Sequence, residues 1–208
     1  MQYHEGLLFI IDGSKGLKKA IEEQFGEKAI IQRCTWHKRE NVLSYLAENL
    51  HDEIKKEYHQ ALGETAYKSA KEAMEQLIKK LKKINMQAGR SLEEGLEELL
   101  TLHKLDVNED FSISFSTTNC IESLNSQLKK YVGRVTNWSS SDQRYRWVAT
   151  ALLKIETRMK KVDNFKQIKQ LKKAIQKHSN TNFTLLKFQL KNGHSLTVVV
   201  KYGNFIKT

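Results

Sequence analysis

The chain has no proline, only two cysteines, and no apolar run near the ~20 residues that a membrane span requires. Each absence narrows the field. Without proline, breaks between elements must be sought at glycine, asparagine and aspartate. Cys34 and Cys120 are too few for a disulfide framework and fit a reducing compartment. The start Met1-Gln2-Tyr3-His4-Glu5 lacks a basic flank and a cleavage site, so the expectation is a cytoplasmic chain with no membrane partner. No G-x-x-x-x-G-K-[ST] or G-x-G-x-x-G run follows a strand, which removes support for nucleotide binding of those kinds. Nor is there a G-x-S-x-G elbow to make Ser116, Ser123 or Ser126 a nucleophile.

Acid is scarce in one place. Residues 1–126 hold 17 Lys/Arg against 21 Asp/Glu, whereas residues 127–178 hold 14 Lys/Arg against Asp142, Glu156 and Asp163 alone. The tail from Ser179 adds four lysines and no acid. Of the net charge of +11, the excess is thus confined to the part after residue 126 of a chain long enough for one domain or two small ones. A solvated lysine face is the ordinary origin of a charge run, but a segment this lopsided suits phosphate contact.

What is present begins with Leu7-Leu8-Phe9-Ile10-Ile11, an apolar run that stops at Asp12-Gly13-Ser14, the pattern of a buried strand meeting a turn. Ser14 can cap a helix through Leu17, Ala20, Ile21 and Phe25, ended by Gly26. Ala29-Ile30-Ile31, running to Gln32-Arg33-Cys34, reads as a second strand, and strand, helix and strand in this order form a βαβ unit with parallel pairing. Asp12 then falls at the carboxyl end of its strand, where open α/β sheets place ligands.

From Thr35 the period is helical. Leu43, Leu46, Leu50, Ile54, Tyr58 and Leu62 form one stripe, Ala66 to Ile84 a second, and Leu92 to Leu100 a third. Breaks are expected at Gly63, at Asn85 to Gly89 and at Asp106 to Asp110. The stretch Thr117 to Lys130 opens a further helix whose Ile121, Leu124, Leu128 and Val132 face a core while Glu122 stays accessible in the first turns. A polar loop over Gly133 to Asp142 precedes a helix expected to bury Trp147, Val148, Ala151, Leu152, Ile155 and Met159, with Arg144, Lys154, Arg158 and Lys161 on its other face. A turn at Asp163-Asn164 leads to a lysine-rich helix on Phe165, Ile168, Leu171 and Ile175. Phe183 to Leu190 and Leu196 to Tyr202 read as a β-hairpin about Asn192-Gly193.

Three constellations bear on chemistry. Asp12 at a strand end and Glu122 at a helix start are carboxylates that a fold can bring together, the oxygen ligands that a pair of Mg²⁺ ions needs. By spacing alone that pairing is weak, and a first-turn Glu is also favoured by the helix dipole. Cys34-Thr35-Trp36-His37 is a C-x-x-H pair without a second pair to close a zinc site, so a small buried Cys with His37 hydrogen-bonded near the strand end, close to Asp12, is the simpler reading. Trp36, Trp138 and Trp147 are more often packing residues than base-stacking platforms, and of the three Trp138 in its polar loop is the best placed for nucleic acid.

Three blocks together resemble the bacterial Mutator-type insertion-sequence transposases, which use a ribonuclease H-like DDE catalytic domain. They are Phe9 to Ile21, Gln32 to Asn41, and Thr117 to Asn125; the region Arg146-Trp147 through Glu156 into the Phe165 to Ile175 helix resembles the segment after that family's Glu. The resemblance implies that Asp12 is the second catalytic Asp and Glu122 the catalytic Glu, both metal ligands, with Cys34, His37 and Asn119 as signature residues near the site. It implies a mostly helical α/β fold: a partial ribonuclease H-like βαβ core over 1–34, a helical insertion over 35–110, the catalytic Glu helix and basic helices over 111–178, and a divergent hairpin tail over 179–208.

The family's first catalytic Asp lies on an earlier strand, upstream of Met1, so the expectation is a truncated catalytic-domain fragment with little strand transfer by itself. The implied chemistry is DNA strand cleavage and transfer with Mg²⁺ or Mn²⁺, by a dimer on transposon ends and target DNA in a bacterial, nucleoid-associated setting. Lys129, Lys130, Arg134, Arg144, Arg146, Lys154 and Arg158 are the expected DNA contacts. A noncatalytic DNA-binding protein, or a decayed remnant, is the alternative.

Overall fold

The computed structural model describes residues 6–179 apart from Thr136, and the expected hairpin of the tail lies outside the described residues. The chain is α/β and mostly helical, and it divides into two compact units, one made of the segments up to Thr117 and from Asp163, the other Thr118–Val162.

In the first unit, β1 (Leu7–Ile11) and β2 (Ala29–Arg33) pair in parallel, Leu7 opposite Ala29 and Ile11 opposite Arg33. Between them runs α1 (Lys15–Phe25), started by the Ser14 hydroxyl, which accepts from the Leu17 amide, and ended at Gly26 with φ 54°. Leu7, Phe9, Ile11 and Ile21 close a small core with Phe25 packed against it. The strand, helix, strand reading of the first thirty residues is the observed one.

The helices after β2 are α2 (Thr35–Leu43), α3 (His51–Gly63), α4 (Tyr67–Ile84), α5 (Met86–Leu99), α6 (Thr101–Lys104) and α7 (Asn108–Phe115). Ala70, Met74, Leu77 and Leu81 of α4 recur at helical spacing and meet Ala88, Leu92, Leu96 and Leu99 of α5, with Ile54 and Tyr58 of α3 in the same cluster. Each fully buried leucine in such a cluster contributes about 1.5–3 kcal/mol. The α5–α6 segment is stitched to β2. The Gln32 side-chain amide donates to the Leu99 carbonyl (3.0 Å) and accepts from the Leu102 amide (3.1 Å), and the Thr101 hydroxyl donates to the Ile31 carbonyl (2.6 Å).

That stitch explains a break that local sequence does not announce: at Leu100 the helix gives up its regular ladder because Gln32 supplies replacement partners. The single stripe expected from Leu43 to Leu62 is likewise interrupted, since α2 ends at Leu43 and α3 begins at His51. There Asn85 donates its side-chain amide to the Tyr45 carbonyl at 2.9 Å. Asn85 also caps α5 by accepting from the Gln87 and Ala88 amides. Asp106, at φ 56°, turns the chain between α6 and α7, and α10 (Ile168–Ser179) buries Leu171 and Ile175.

The second unit pairs α8 (Asn119–Val132) with α9 (Ser141–Glu156) around Leu128, Val132, Ala151 and Ile155. Ile121, Leu128 and Val132 are buried as expected, with Leu124 half-buried. The face expected for α9 is corrected: Trp147, Leu152 and Met159 are exposed, and of that set Ala151 and Ile155 are buried. With one partner helix, α9 has room to bury a stripe only about two residues wide per two turns, and the outer members of the apolar set fall beyond it.

Candidate functional site

Parallel pairing brings the carboxyl ends of β1 and β2 side by side. The Cys34 amide donates to the Ile11 carbonyl at 2.7 Å, one step past the strands, so Asp12 and Cys34 leave the sheet as neighbours. Asp12, half-buried, accepts from the Ser14 amide through Oδ1 (3.2 Å), which folds the turn into α1. Gly13 carries φ 101°, and a Cβ placed on it would lie 2.0 Å from Arg33 Nη1. The guanidinium therefore lies against the turn that holds Asp12, in space only glycine leaves open.

Arg33 is the residue that sequence reading passed over. It is 4% exposed and is held by Glu98 through Nε at 2.7 Å and by Glu94 through Nη2 at 3.1 Å. Glu94 and Glu98, one turn apart on α5, also receive Lys38 of α2 (2.7 Å) and Lys18 of α1 (2.5 Å) respectively. Burial pushes the Glu94 carboxyl up, but Lys38 and Arg33 outweigh it and hold the group below its ordinary value. Hydrogen bonding to Glu98 raises the Lys18 ammonium. The network clamps three elements of the strand-end region onto α5. Its one local signal is a pair of polar residues, Gln32 and Arg33, closing a strand that opens apolar, Ala-Ile-Ile-Gln-Arg.

Cys34 is fully buried, and His37 Nδ1 lies 3.1 Å from its sulfur across the first turn of α2. The C-x-x-H pair is thus a local sulfur–imidazole contact, and the burial of Cys34 is the part that the simpler reading expects. Thr35, between them, is fixed from two sides: its amide and hydroxyl donate to the Ser116 carbonyl (2.8 and 3.2 Å), and its carbonyl accepts from the Tyr58 hydroxyl at 3.0 Å. Burial, reinforced by the Cys34 sulfur, drives the Tyr58 phenol well above its ordinary range, so it stays a donor. Beside α2 opens a cleft of about 460 Å³ lined by Trp36, Arg39, Tyr58, His59 and His103, in which Arg39 donates to His59 Nε2 at 2.8 Å. Burial lowers the pKa of His103, against the opposing pull of the Leu62 and Glu64 carbonyls.

Glu122 belongs to the second unit. It is exposed in the first turn of α8, where the buried Thr118 donates its hydroxyl to Oε1 at 2.7 Å, and Asn119 opens the helix on the same exposed end. Thr118 positions the carboxylate, and the helix amino terminus favours its charge.

Lys129, Lys130, Arg134, Arg144, Arg146, Lys154 and Arg158 are all exposed on this unit. Thr118–Val162 holds nine Lys/Arg against three acidic residues, and of these acids Asp142 pairs with Arg146 (2.9 Å) at i,i+4. Trp138 is half-buried against the unit's core, the packing role that tryptophans more often take, with Arg144 6.0 Å above its ring. On this unit the rings of Trp147 and Tyr145 are exposed.

Asp12 and Glu122 offer hard oxygen donors of the kind Mg²⁺ takes, whereas Cys34 and His37 are softer ligands. Among the described residues no group of three or more His, Cys, Asp or Glu side chains is arranged to hold a metal ion. No helix among the described residues is long and apolar enough to cross a membrane. No curated protein matches the chain. The family model described as Transposase, Mutator family, matches residues 4–182, which include Asp12, the C-x-x-H pair, Glu122 and the basic helices, and the chain therefore belongs to the Mutator family of transposases.

Proposed function

We propose that this chain supplies catalytic carboxylates and DNA contacts for DNA strand cleavage and strand transfer, with a ribonuclease H-like DDE core. Family membership over residues 4–182 carries the reading. Asp12 at the carboxyl end of β1 and Glu122 in the first turn of α8 supply the acidic residues that the family resemblance assigns to a divalent cation. Bound Mg²⁺ or Mn²⁺ supplies charge neutralisation at the attacking and leaving oxygens of the phosphodiester.

The chain's own residues do the rest. Arg33 and the Ser14 amide hold the Asp12 turn in shape, Thr118 orients Glu122, and the cations of α8 and α9 bind the DNA backbone. In the test, purified chain is incubated with a family terminal-repeat duplex and Mg²⁺, and cleavage and DNA affinity are measured side by side. Any cleavage that the wild-type chain performs is abolished by Glu122→Gln while DNA affinity stays within about twofold, because the amide keeps shape and loses charge. Loss of both together overturns the assignment.

The basic surface of the second unit favours one further reading, a DNA-binding protein that performs no cleavage. It predicts salt-sensitive binding to duplex DNA with no Mg²⁺-dependent product from wild-type protein.

A further inference from the structure

On α9 the residues Gln143, Arg146, Trp147, Thr150, Ala151 and Lys154 fall at i, i+3, i+4, i+7, i+8 and i+11, one stripe of the helix. With Tyr131 of α8 they line a cleft of about 540 Å³ within the second unit, inside the ~300–1,000 Å³ range of small-ligand pockets. Its composition is unusual for a surface with this charge. Trp147 is 49% exposed and touches Trp138 edge-on, with ring centroids 6.5 Å apart. The Lys154 ammonium sits 5.8 Å above the Tyr131 ring, and Arg146 is 71% exposed, in a solvent-exposed i,i+4 pair with Asp142 (2.9 Å) that a phosphate can exchange with. Arg146 and Lys154, eight residues apart, are separated by ~12 Å along the helix axis and bracket the two rings.

We propose that this cleft is a subsite for a single unpaired nucleotide of a DNA strand, its base stacked on Trp147 and Tyr131 and its flanking phosphates met by Arg146 and Lys154. The proposal rests on the DNA-binding reading given above and sharpens it. A base inside a duplex has both faces covered by its neighbours and cannot enter a concave, ring-walled cleft, so this site takes a base out of the stack. Duplex DNA is served by exposed cations elsewhere on the unit, Lys129, Lys130 and Arg134 among them, which reach phosphates without reading bases. Anionic DNA also matches the sign of the rim better than a protein segment, which would have to bring acid to Arg146 and Lys154. A polynucleotide supplies phosphate on both sides of each base.

The test uses the full chain with two probes at one fixed salt concentration, a single-stranded oligonucleotide carrying 2-aminopurine and a blunt duplex of the same length. Trp147→Ala lowers affinity for the single strand by roughly tenfold or more, the size of one lost base–aromatic stack, and abolishes the 2-aminopurine quenching. Its affinity for the blunt duplex changes less than threefold, which also shows that the variant is folded. Trp147→Phe restores most of the single-strand affinity, and Leu153→Ala, an exposed apolar residue outside the cleft, changes neither.

Equal loss on both probes overturns the subsite while leaving DNA binding in place. So does a change in oligomeric mass without single-strand-specific loss, which would mean that protein covers the ring. Absence of binding to either probe overturns the DNA-binding reading itself.

Discussion

Replacing Gly13 by alanine tests how the strand-end turn is built. Gly13 holds φ 101°, where an L residue costs about 1–2 kcal/mol. The new methyl would stand 2.0 Å from Arg33 Nη1. A free arginine would swing aside, but this one is 4% exposed and tied through Nε to Glu98 (2.7 Å) and through Nη2 to Glu94 (3.1 Å). Moving Nη1 therefore stretches at least one charged hydrogen bond, worth about 1.5–3 kcal/mol. The smaller entropy of the unfolded alanine chain returns about 0.4–1 kcal/mol, leaving a net loss of about 2–4 kcal/mol.

Gly16 is the internal control. It lies in the first turn of α1, and a Cβ there meets nothing within 4 Å, so Gly16→Ala is neutral or stabilising by up to ~1 kcal/mol. Urea unfolding followed by circular dichroism separates the two, with midpoints displaced by about 1–2 M for an m-value near 2 kcal/mol/M. If Gly13→Ala unfolds within about 0.5 kcal/mol of wild type, Arg33 does not press on the turn and Asp12 is held in some other way.

Two other outcomes rest on named contacts. Lys104, then Lys71 and Tyr67, hold the Glu97 carboxyl down to about 2 from an ordinary 4.5. Its stabilisation is therefore complete above pH 4.5 and is lost as pH falls toward 2, so the gap in melting temperature between wild type and Glu97→Gln closes over that window. A gap that is constant from pH 6 to 2.5 contradicts the pairing. On the second unit, Lys129→Gln with Lys130→Gln reduces the slope of log affinity against log salt for duplex DNA by about 2, one for each lost phosphate contact. An unchanged slope removes these lysines from the DNA surface.

Much of the strand-end architecture was legible because its causes are local. A five-residue apolar run, a serine able to cap α1 and a glycine able to end it lie within thirty residues of one another, and Asp12 comes directly after β1. The features that were not legible depend on partners far along the chain. Gln32 breaks α5 from α6 by bonding Leu99, 67 residues away, and Asn85 satisfies the Tyr45 carbonyl across 40 residues. Arg33 gives no hint of Glu94 and Glu98 until α5 is folded onto β2. The exposed face of α9 was misread for the same reason, since helical periodicity identifies an apolar set without revealing how much of it one neighbouring helix can cover.

The central claim is that Asp12 and Glu122 are carboxylates placed for a divalent cation, and iron-directed cleavage of the chain tests it without relying on transposition. Fe²⁺ with ascorbate and peroxide generates hydroxyl radicals at the metal, and these cut the nearest backbone. The expected cuts fall at the turn after β1 around Asp12 and at the start of α8 around Glu122, and excess Mg²⁺ suppresses them. Asp12→Asn and Glu122→Gln each weaken the cutting. Cuts confined to Cys34 and His37, or cuts indifferent to Mg²⁺ and to both substitutions, would contradict the claim.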